Sequence, residues 1–466
     1  MSRLVVVSNR VADPRKAAAG GLAVAVGDSL QQTGGMWFGW SGTVVEDGPT
    51  GEGELHQQQA GQVLLATIDL CRDDHDSYYL GYSNNVLWPV FHNRLDLASF
   101  SAGYVTGYRR VNQLFARKLM PLLQPDDIVW VHDYHLIPLA AELRAMGCRN
   151  RIGFFLHIPL PPQIIFASIP QHDWLMRSLF AYDLVGFQAR QDVQHFEHYV
   201  RNEAGGQPLG DDLFQAYGST LRCAAFPIGI DVDEFEALTQ ARDAREMFET
   251  MRREYSNRRL LVGIDRLDYS KGIPQRVQAF RELLAHYPEN RRSATLIQIA
   301  SPTRESVDAY GDIRRELEAL CGAINGDYGE LDWIPVRYIH RVVARRRVPG
   351  LCRAAAVGLV APLRDGMNLV AKEYVVAQDP EDPGVLVLSR FAGAAEQLKE
   401  ALLVNPYDVH GTAEVIQHAL SMPLEERRVR HQRLLARIRQ YDVHWWRNTF
   451  LDALRKAPAE QRPPRS

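Results

Sequence analysis

Ala354-Ala355-Ala356-Val357-Gly358-Leu359-Val360-Ala361-Pro362 runs straight into Leu363-Arg364-Asp365-Gly366-Met367-Asn368-Leu369-Val370-Ala371-Lys372-Glu373. The first part is small and apolar throughout, the pattern of a buried strand. The second is a polar loop that passes into a helical stretch. A parallel strand therefore hands over to a helix N-terminus, where backbone amides are left unpaired and the positive end of the helix dipole is exposed. Such a place favours anionic phosphate. Asp365 can accept hydrogen bonds from sugar hydroxyls, and Glu373, one turn into the helix, can grip a ribose diol. This is the chemistry of a nucleotide-sugar site.

Working outward, the same strand-then-helix alternation fills the chain. Strands are expected at 4–8, 128–132, 152–157, 184–187, 260–264, 295–299, 357–361 and 385–388. Helical patterns intervene at 111–123, 138–145, 275–286 and 313–323. Strands apolar on both faces and alternating with helices predict parallel sheets covered on both sides. The elements fall into two sets, with the break expected after Pro227-Ile228-Gly229-Ile230, inside the charged stretch 231–257. The expected organisation is α/β: two Rossmann-like doubly wound domains facing a central cleft. Residues 1–235 form the first domain and 236–440 the second. Residues 441–466 supply an aromatic helix, Trp445-Trp446 to Phe450, that packs back on the first domain before a frayed tail. Ligands of such sheets bind at the carboxyl ends of the strands.

The bulk composition narrows the choices. A chain of 466 residues with 46% hydrophobic content is long enough for two cores. A net charge of −3 supplies no overall cationic field for nucleic acid. Five scattered cysteines without a Cys-x-x-Cys pair suggest neither a zinc site nor a disulfide framework. Together with the absence of a secretory or membrane-spanning pattern, this fits a reducing cytoplasm.

Several strand ends carry candidate chemistry. Ser8-Asn9-Arg10 closes the first strand, and Gly20-Gly21 opens the next helical run. The glycines alone read as an ordinary loop, but Arg10 at a ligand edge can grip phosphate in bidentate fashion. His132-Asp133-Tyr134-His135 follows a buried strand. Its two histidines lack a third ligand, so Asp133 as a hydroxyl acceptor, or simply as a helix cap, is the better reading. Phe154 to Pro159 leaves another strand with His157 at its tip, either a capping residue or part of a site. Asp265 to Gly272 places Arg266 and Lys271 on a turn, where two fixed cations can neutralise a departing diphosphate as a metal ion would. Arg304 ends a further strand. Aromatics Tyr78, Tyr79, Trp88 and Phe91 suit sugar rings or a core. Asp74-His75-Asp76 has the D-x-D form of a metal site, but with no strand read before it the segment is expected to be a solvated loop.

Taken together, these segments resemble the α,α-trehalose-phosphate synthase family of retaining glycosyltransferases, which has the two-domain GT-B fold. The likeness runs from Leu4 to about Asp452. It includes Ser8-Asn9-Arg10, Gly20-Gly21-Leu22, Trp37 to Gly42, Ser83-Asn84, Leu87-Trp88-Pro89, His132 to His135, His157-Ile158-Pro159, Arg266 to Gly272 and Arg364 to Glu373. The resemblance implies transfer of glucose from UDP-glucose to glucose 6-phosphate without a metal cofactor, by a cytoplasmic homo-oligomer that binds neither nucleic acid nor membrane. It makes the first domain the acceptor domain and the second the nucleotide-sugar domain. Arg10, Arg304 and Tyr79 would meet the acceptor phosphate. Asp133 would hold acceptor hydroxyls and Trp40 would line the site. Trp88 and His157 would select the α-anomer. On the donor side, Gly20 and Gly21 would approach through backbone. Arg266 and Lys271 would hold the diphosphate, and Asp365 the transferred glucose. Asn368, Leu369, Val370, Ala371 and Lys372 would line the sugar and phosphates, Glu373 the ribose, and the backbone near Val343 the uracil. The catalytic set implied is Asp133, His157, Arg266, Lys271 and Asp365.

No carboxylate stands out as a nucleophile, so front-face attack with the donor phosphate as base is the expected route to retention, and domain closure is expected to exclude water. Three rival readings differ in testable ways. A glucosyltransferase with a neutral acceptor would not need Arg10 and Arg304. A sugar-phosphate sensor would have lost donor residues. A metal-dependent transferase built on Asp74 and Asp76 would stop in EDTA.

Overall fold

The computed structural model describes residues 2–12, 27, 30, 34–303 and 308–457. Gly20, Gly21 and Arg304 lie outside the described residues. The chain divides into two compact units, 1–227 with 444–466, and 228–443.

Unit 1 is built on a ten-stranded sheet. Its strands are β1 (Leu4–Arg10), β2 (Gly35–Val45), β3 (Leu55–Ala60), β4 (Val63–Cys71), β5 (Ile128–His132), β6 (Arg151–Phe155), β7 (Leu184–Phe187), β8 (Gln207–Gly210), β9 (Leu213–Ala216) and β10 (Ser219–Ala225). The spatial order is β3-β4-β2-β1-β5-β6-β7-β10-β9-β8. β4, β2, β1, β5, β6, β7 and β10 run parallel, and antiparallel partners finish both edges. The helices of this unit include α1 (Ala102–Leu119), α2 (Leu139–Ala145), α3 (His172–Leu179) and α4 (Arg190–Asn202).

Unit 2 carries α5 (Val232–Thr239), α6 (Arg242–Glu254), β11 (Arg259–Arg266), α7 (Ile273–His286), β12 (Ala294–Ser301), α8 (Asp308–Tyr328), β13 (Val336–Ile339), α9 (Val348–Ala354), β14 (Val357–Val360), α10 (Leu369–Ala377), β15 (Val385–Ser389), β16 (Leu402–Val404), α11 (Val409–Ser421) and α12 (Leu424–Gln440). Its six strands are all parallel, in the order β13-β12-β11-β14-β15-β16. The central strands are apolar and buried on both faces, as helix-covered parallel strands must be: β15 is Val-Leu-Val-Leu-Ser, all buried.

Each sheet reverses its winding once. In unit 1, β1 has β2 on one side and β5 on the other. In unit 2, β11 lies between β12 and β14. Doubly wound sheets bind ligands at such reversals, outside the carboxyl ends of the strands. The loops that follow β1, β5, β11 and β14 are therefore the ones to inspect.

Two sequence readings need correction. The change of unit falls after Pro227, ahead of the border expected at 235/236. Asp231 caps α5 by accepting from the Glu234 amide, and the buried Phe235 belongs to unit 2. The Asp74 segment is not a solvated loop. It follows β4 directly, and Asp74 is fully buried, accepting from Arg110 Nε at 2.6 Å and the Gly51 amide at 2.7 Å.

The last helix, α13 (Val443–Lys456), closes the core of unit 1. Phe450 stacks 4.9 Å from Trp130 and sits over Gly153 and Gly186, where any β-carbon would fall within 3 Å of its ring. Among the described residues, no helix is long and apolar enough to cross a membrane.

Candidate active site

In unit 2 the loops that follow β11 and β14 are tied to each other. Asp268 accepts from the Ser270 amide and from Tyr310, which fixes the short turn Tyr269–Lys271. Gly272 ends that turn at φ 60°, and a β-carbon there would lie 2.4 Å from the Ala361 carbonyl. Only glycine meets both demands cheaply. The Leu363 and Arg364 amides donate back to the Ser270 carbonyl. As a result, Lys271 Nζ reaches Asp365 Oδ2 at 2.6 Å, and Asn368 Nδ2 reaches the same oxygen at 3.1 Å. Asn368, held at φ 79°, caps α10 by accepting from the Ala371 amide. The loop is braced from behind, since the Asp365 amide donates to Phe391 and the Ala394 amide to Met367.

A buried charge pair lies beneath this turn. Arg276, 1% exposed, donates from Nη1 to Asp265 Oδ2 at 2.6 Å and to Gln298 Oε1 at 3.0 Å. Burial pushes the Asp265 carboxyl up, and the Arg276 guanidinium opposes that shift. Gly263 makes room for the pair, because a β-carbon there would lie 2.5 Å from both Arg276 Nη1 and Gln298 Oε1. Arg266 ends β11 in an exposed position.

In unit 1, Arg10 leaves β1 with its guanidinium 5.7 Å above the Trp40 ring. Trp40 meets Tyr79 at 5.7 Å, and Tyr79 stacks on His135 at 5.9 Å. Tyr79 belongs to a π-helical segment, His75–Leu87, that leads into Trp88. Asn84 donates to the Tyr79 carbonyl and accepts from the Tyr134 hydroxyl. Asp133 takes a positive φ of 75° just past β5; its amide donates to Phe155, and its carboxylate accepts from the His157 amide at 3.3 Å. The His157 ring is held on both nitrogens, by His132 at 3.0 Å and Gln188 at 3.2 Å. Burial pushes the His157 pKa down to about 3, and drives that of His132 well below its usual value.

With that geometry in place, comparison with known proteins decides the family. Residues 6–456 match the model of glycosyltransferase family 20. The chain belongs to glycosyltransferase family 20. A trehalose-6-phosphate synthase of Sinorhizobium fredii is 49% identical over 459 residues, covering 97% of this chain and 98% of that one. The solved α,α-trehalose-phosphate synthase (UDP-forming) of Burkholderia xenovorans, in complex with glucose-6-phosphate, is 50% identical with a TM-score of 0.94, covering 97% of this chain and all of that one. An Escherichia coli structure bound with UDP-2-fluoro glucose is 45% identical with a TM-score of 0.92, covering 100% of each chain. Two parallel-sheet domains make this family 20 chain a GT-B glycosyltransferase.

Within this family 20 chain, residues singled out in the sequence gather in three groups, one in unit 2 and two in unit 1. Lys271, Asp365 and Asn368 are in direct contact, with Leu369 and Val370 beginning α10. Arg10, Trp40 and Tyr79 form one group, and Asp133 and His157 another. Trp88 is buried, with its ring 5.7 Å from Tyr134. Val343 lies in the loop after β13, and Glu373 faces the field of Arg345 and Glu234 from α10. Burial raises the Glu373 carboxyl pKa. Ala371 is buried as the residue whose amide is capped.

Lys372 departs from the donor-lining expectation. It is 1% exposed, and its ammonium donates to the Ile228 carbonyl at 2.6 Å and to Gln397 at 2.7 Å. Burial lowers its pKa to about 7. Its place on the helix turns it inward, toward backbone that needs a donor. Arg276 and Gln188 escaped the sequence reading, and His132 was weighed there only as one of two histidines lacking a third metal ligand, not as the ring partner of His157. Gly263 and Gln298 were the available signals for Arg276, a glycine and a polar residue inside otherwise apolar strands. For Gln188 there was no signal.

Proposed function

We propose that this chain transfers glucose from UDP-glucose to glucose 6-phosphate, giving α,α-trehalose 6-phosphate and UDP. The observation that carries the reading is the Lys271–Asp365–Asn368 cluster. It sits at the winding reversal of a parallel sheet, beside a helix N-terminus, in a family 20 chain whose relatives bear that activity by name.

On this reading unit 2 takes the donor. Arg266 and Lys271 bind the diphosphate, and Asp365 accepts from hydroxyls of the glucose. The amides of Leu369 and Val370 meet the donor phosphates at the positive end of α10. Glu373 takes the ribose, and the backbone near Val343 takes the uracil. Gly20 and Gly21 contact the donor through their backbone. In unit 1, Arg10, Arg304 and Tyr79 hold the acceptor phosphate, Trp40 lines the acceptor site and Asp133 orients hydroxyls. Trp88 and His157 select the anomer.

The charge changes set the mechanism. The bond between the anomeric carbon and the β-phosphate oxygen breaks, leaving an added negative charge on UDP and an oxocarbenium-like sugar. Arg266 and Lys271 grip that diphosphate more strongly as its charge grows, which lowers the barrier. They are permanent cations, so the step needs no metal ion. Asp365 is engaged by Lys271 and Asn368, which makes it a poor nucleophile for double displacement. The acceptor hydroxyl therefore attacks the face that the leaving group vacates, and its proton passes to a phosphate oxygen of the departing UDP. This keeps the configuration at the anomeric carbon.

The test is an assay of purified protein with glucose 6-phosphate, EDTA and, in turn, UDP-, GDP- and ADP-glucose, with the product's anomeric signals read by NMR. An α,α-linked phosphodisaccharide from UDP-glucose in EDTA is the expected result. Absence of that product with every donor would refute the assignment.

A further inference from the structure

A second group of ligating side chains lies far from the transfer chemistry. Glu282 and His286 are four residues apart on α7, and His410 and Glu414 are four residues apart on α11. Each pair therefore shares a helix face. The two faces meet: the His286 and His410 rings are 5.0 Å apart at 80°. One ligand atom from each of Glu282, His286 and His410 lies within 4.8 Å of the others. Glu414 Oε1 is 3.6 Å from His410 Nε2.

We propose that Glu282, His286 and His410 form a binding site for a zinc-class divalent transition metal, with Glu414 in reach as a fourth ligand. The donor set is two imidazoles with one or two carboxylates, which suits zinc and its neighbours far better than magnesium or calcium. His286 is already oriented as metal-bound histidines are. Its Nδ1 lies 3.1 Å from the Glu282 backbone carbonyl and 3.3 Å from the Glu282 carboxylate; with Nδ1–H donating to that carbonyl, Nε2 keeps its lone pair for an ion, and the carboxylate is already drawn to the ring. The backbone beneath is fixed. Asn290 donates to Gln417 at 2.7 Å, Gln417 to Glu289 at 3.1 Å, and Arg259 to the Leu420 carbonyl at 2.8 Å. Ligand atoms on one tetrahedral ion stand about 3.4 Å apart, so from a separation of at most 4.8 Å the three must close by up to about 1.4 Å. These side chains are 36 to 59% exposed and can make that adjustment by rotamer change.

The site is structural rather than catalytic. His286 is the last residue of a 14-residue helix that starts beside Lys271, which puts it about 20 Å from the diphosphate turn. A bound ion ties α7 to α11 across the outside of the sheet. The competing arrangement is two separate pairs, each histidine bonded to the glutamate of its own helix, and it leaves no reason for cooperative metal uptake.

Zinc chloride titrated calorimetrically into chelator-stripped full-length protein separates the two. One zinc per chain is expected. Affinity should fall at least tenfold in His286→Ala, His410→Ala and Glu282→Gln alike, and binding should vanish in the double histidine variant. Zinc should raise the melting temperature of the wild type but not of that variant. Metal-free wild type and the double variant should transfer glucose at equal rates, which keeps this test independent of the transferase reading. An identical zinc isotherm for wild type and double variant would overturn the site, as would no zinc uptake by the wild type.

Discussion

At the scale of single residues, the candidate donor site of unit 2 is a set of charges that already pair with one another. Lys271 and Asp365 are paired at 2.6 Å, and Arg276 and Asp265 are paired beneath them. The exposed Arg266 is the cation that a diphosphate would meet from outside. Arg266→Ala should lower kcat by about 10²–10³-fold, the usual loss when one donor to a developing anion is removed, and initial rates at saturating substrate would show it. Arg276→Leu acts through stability instead. It strands a buried carboxylate at a cost of about 3–5 kcal/mol, measurable as a lower urea midpoint, and adding Asp265→Leu should recover much of the loss. The cations were legible in the sequence because each follows a recognisable strand. The pairing beneath them was not, since a helix pattern does not tell which arginine turns inward. Only Gly263 and Gln298 marked the spot.

Among elements, the ends of β5 and β6 show how a sheet edge sets protonation. His132 and His157 share a hydrogen bond in an aromatic box made with Trp130, Phe155 and Trp446. Both are kept neutral, His157 with a pKa pushed down to about 3 from 6.5. The unfolded chain binds protons near pH 6.5 while the native state does not. Stability is therefore fully present above that pH and falls as the pH drops from 6.5 toward 3. Each such group contributes up to about 1.4 kcal/mol per pH unit. Melting temperatures between pH 7.5 and 4.5 should fall less steeply in His132→Asn than in wild type. These strands were readable because they are short, apolar and end in polar residues. β2 was not, because its Met36-Trp37-Phe38-Gly39-Trp40 reads equally as a core cluster; β8 is mostly exposed, β9 is only four residues long, and β10 mixes polar and apolar residues at half-buried positions. The π-helical segment 75–87 has no sequence period of its own, so the aromatics it presents were visible only as a group.

For the molecule as a whole, each unit has its own sheet, core and candidate ligand edge, and this gives a spatially separable prediction. In hydrogen exchange, UDP should slow amides in 268–273 and 365–373, and glucose 6-phosphate those in 8–11, 79–84 and 132–135. Protection of only one set by both ligands would contradict the division of labour. Two sets of alternating strands and helices made the two-unit plan legible, whereas the exact crossing depends on local capping by Asp231. The last helix was visible through its aromatics. Phe450 is fully buried against Trp130, Phe155 and Phe226, and Phe450→Ala should cost about 3–5 kcal/mol, again read by urea unfolding. That packing also sets a timetable for biosynthesis. The first unit's sheet emerges from the ribosome early, yet the wedge that fills the groove over Gly153 and Gly186 is translated only after all of 228–443. The nascent amino-terminal half must therefore wait with Trp130 and Phe155 uncovered while the inserted half folds as one uninterrupted stretch. A chain cut short before residue 444 leaves the ribosome as a ready client for chaperones and proteases.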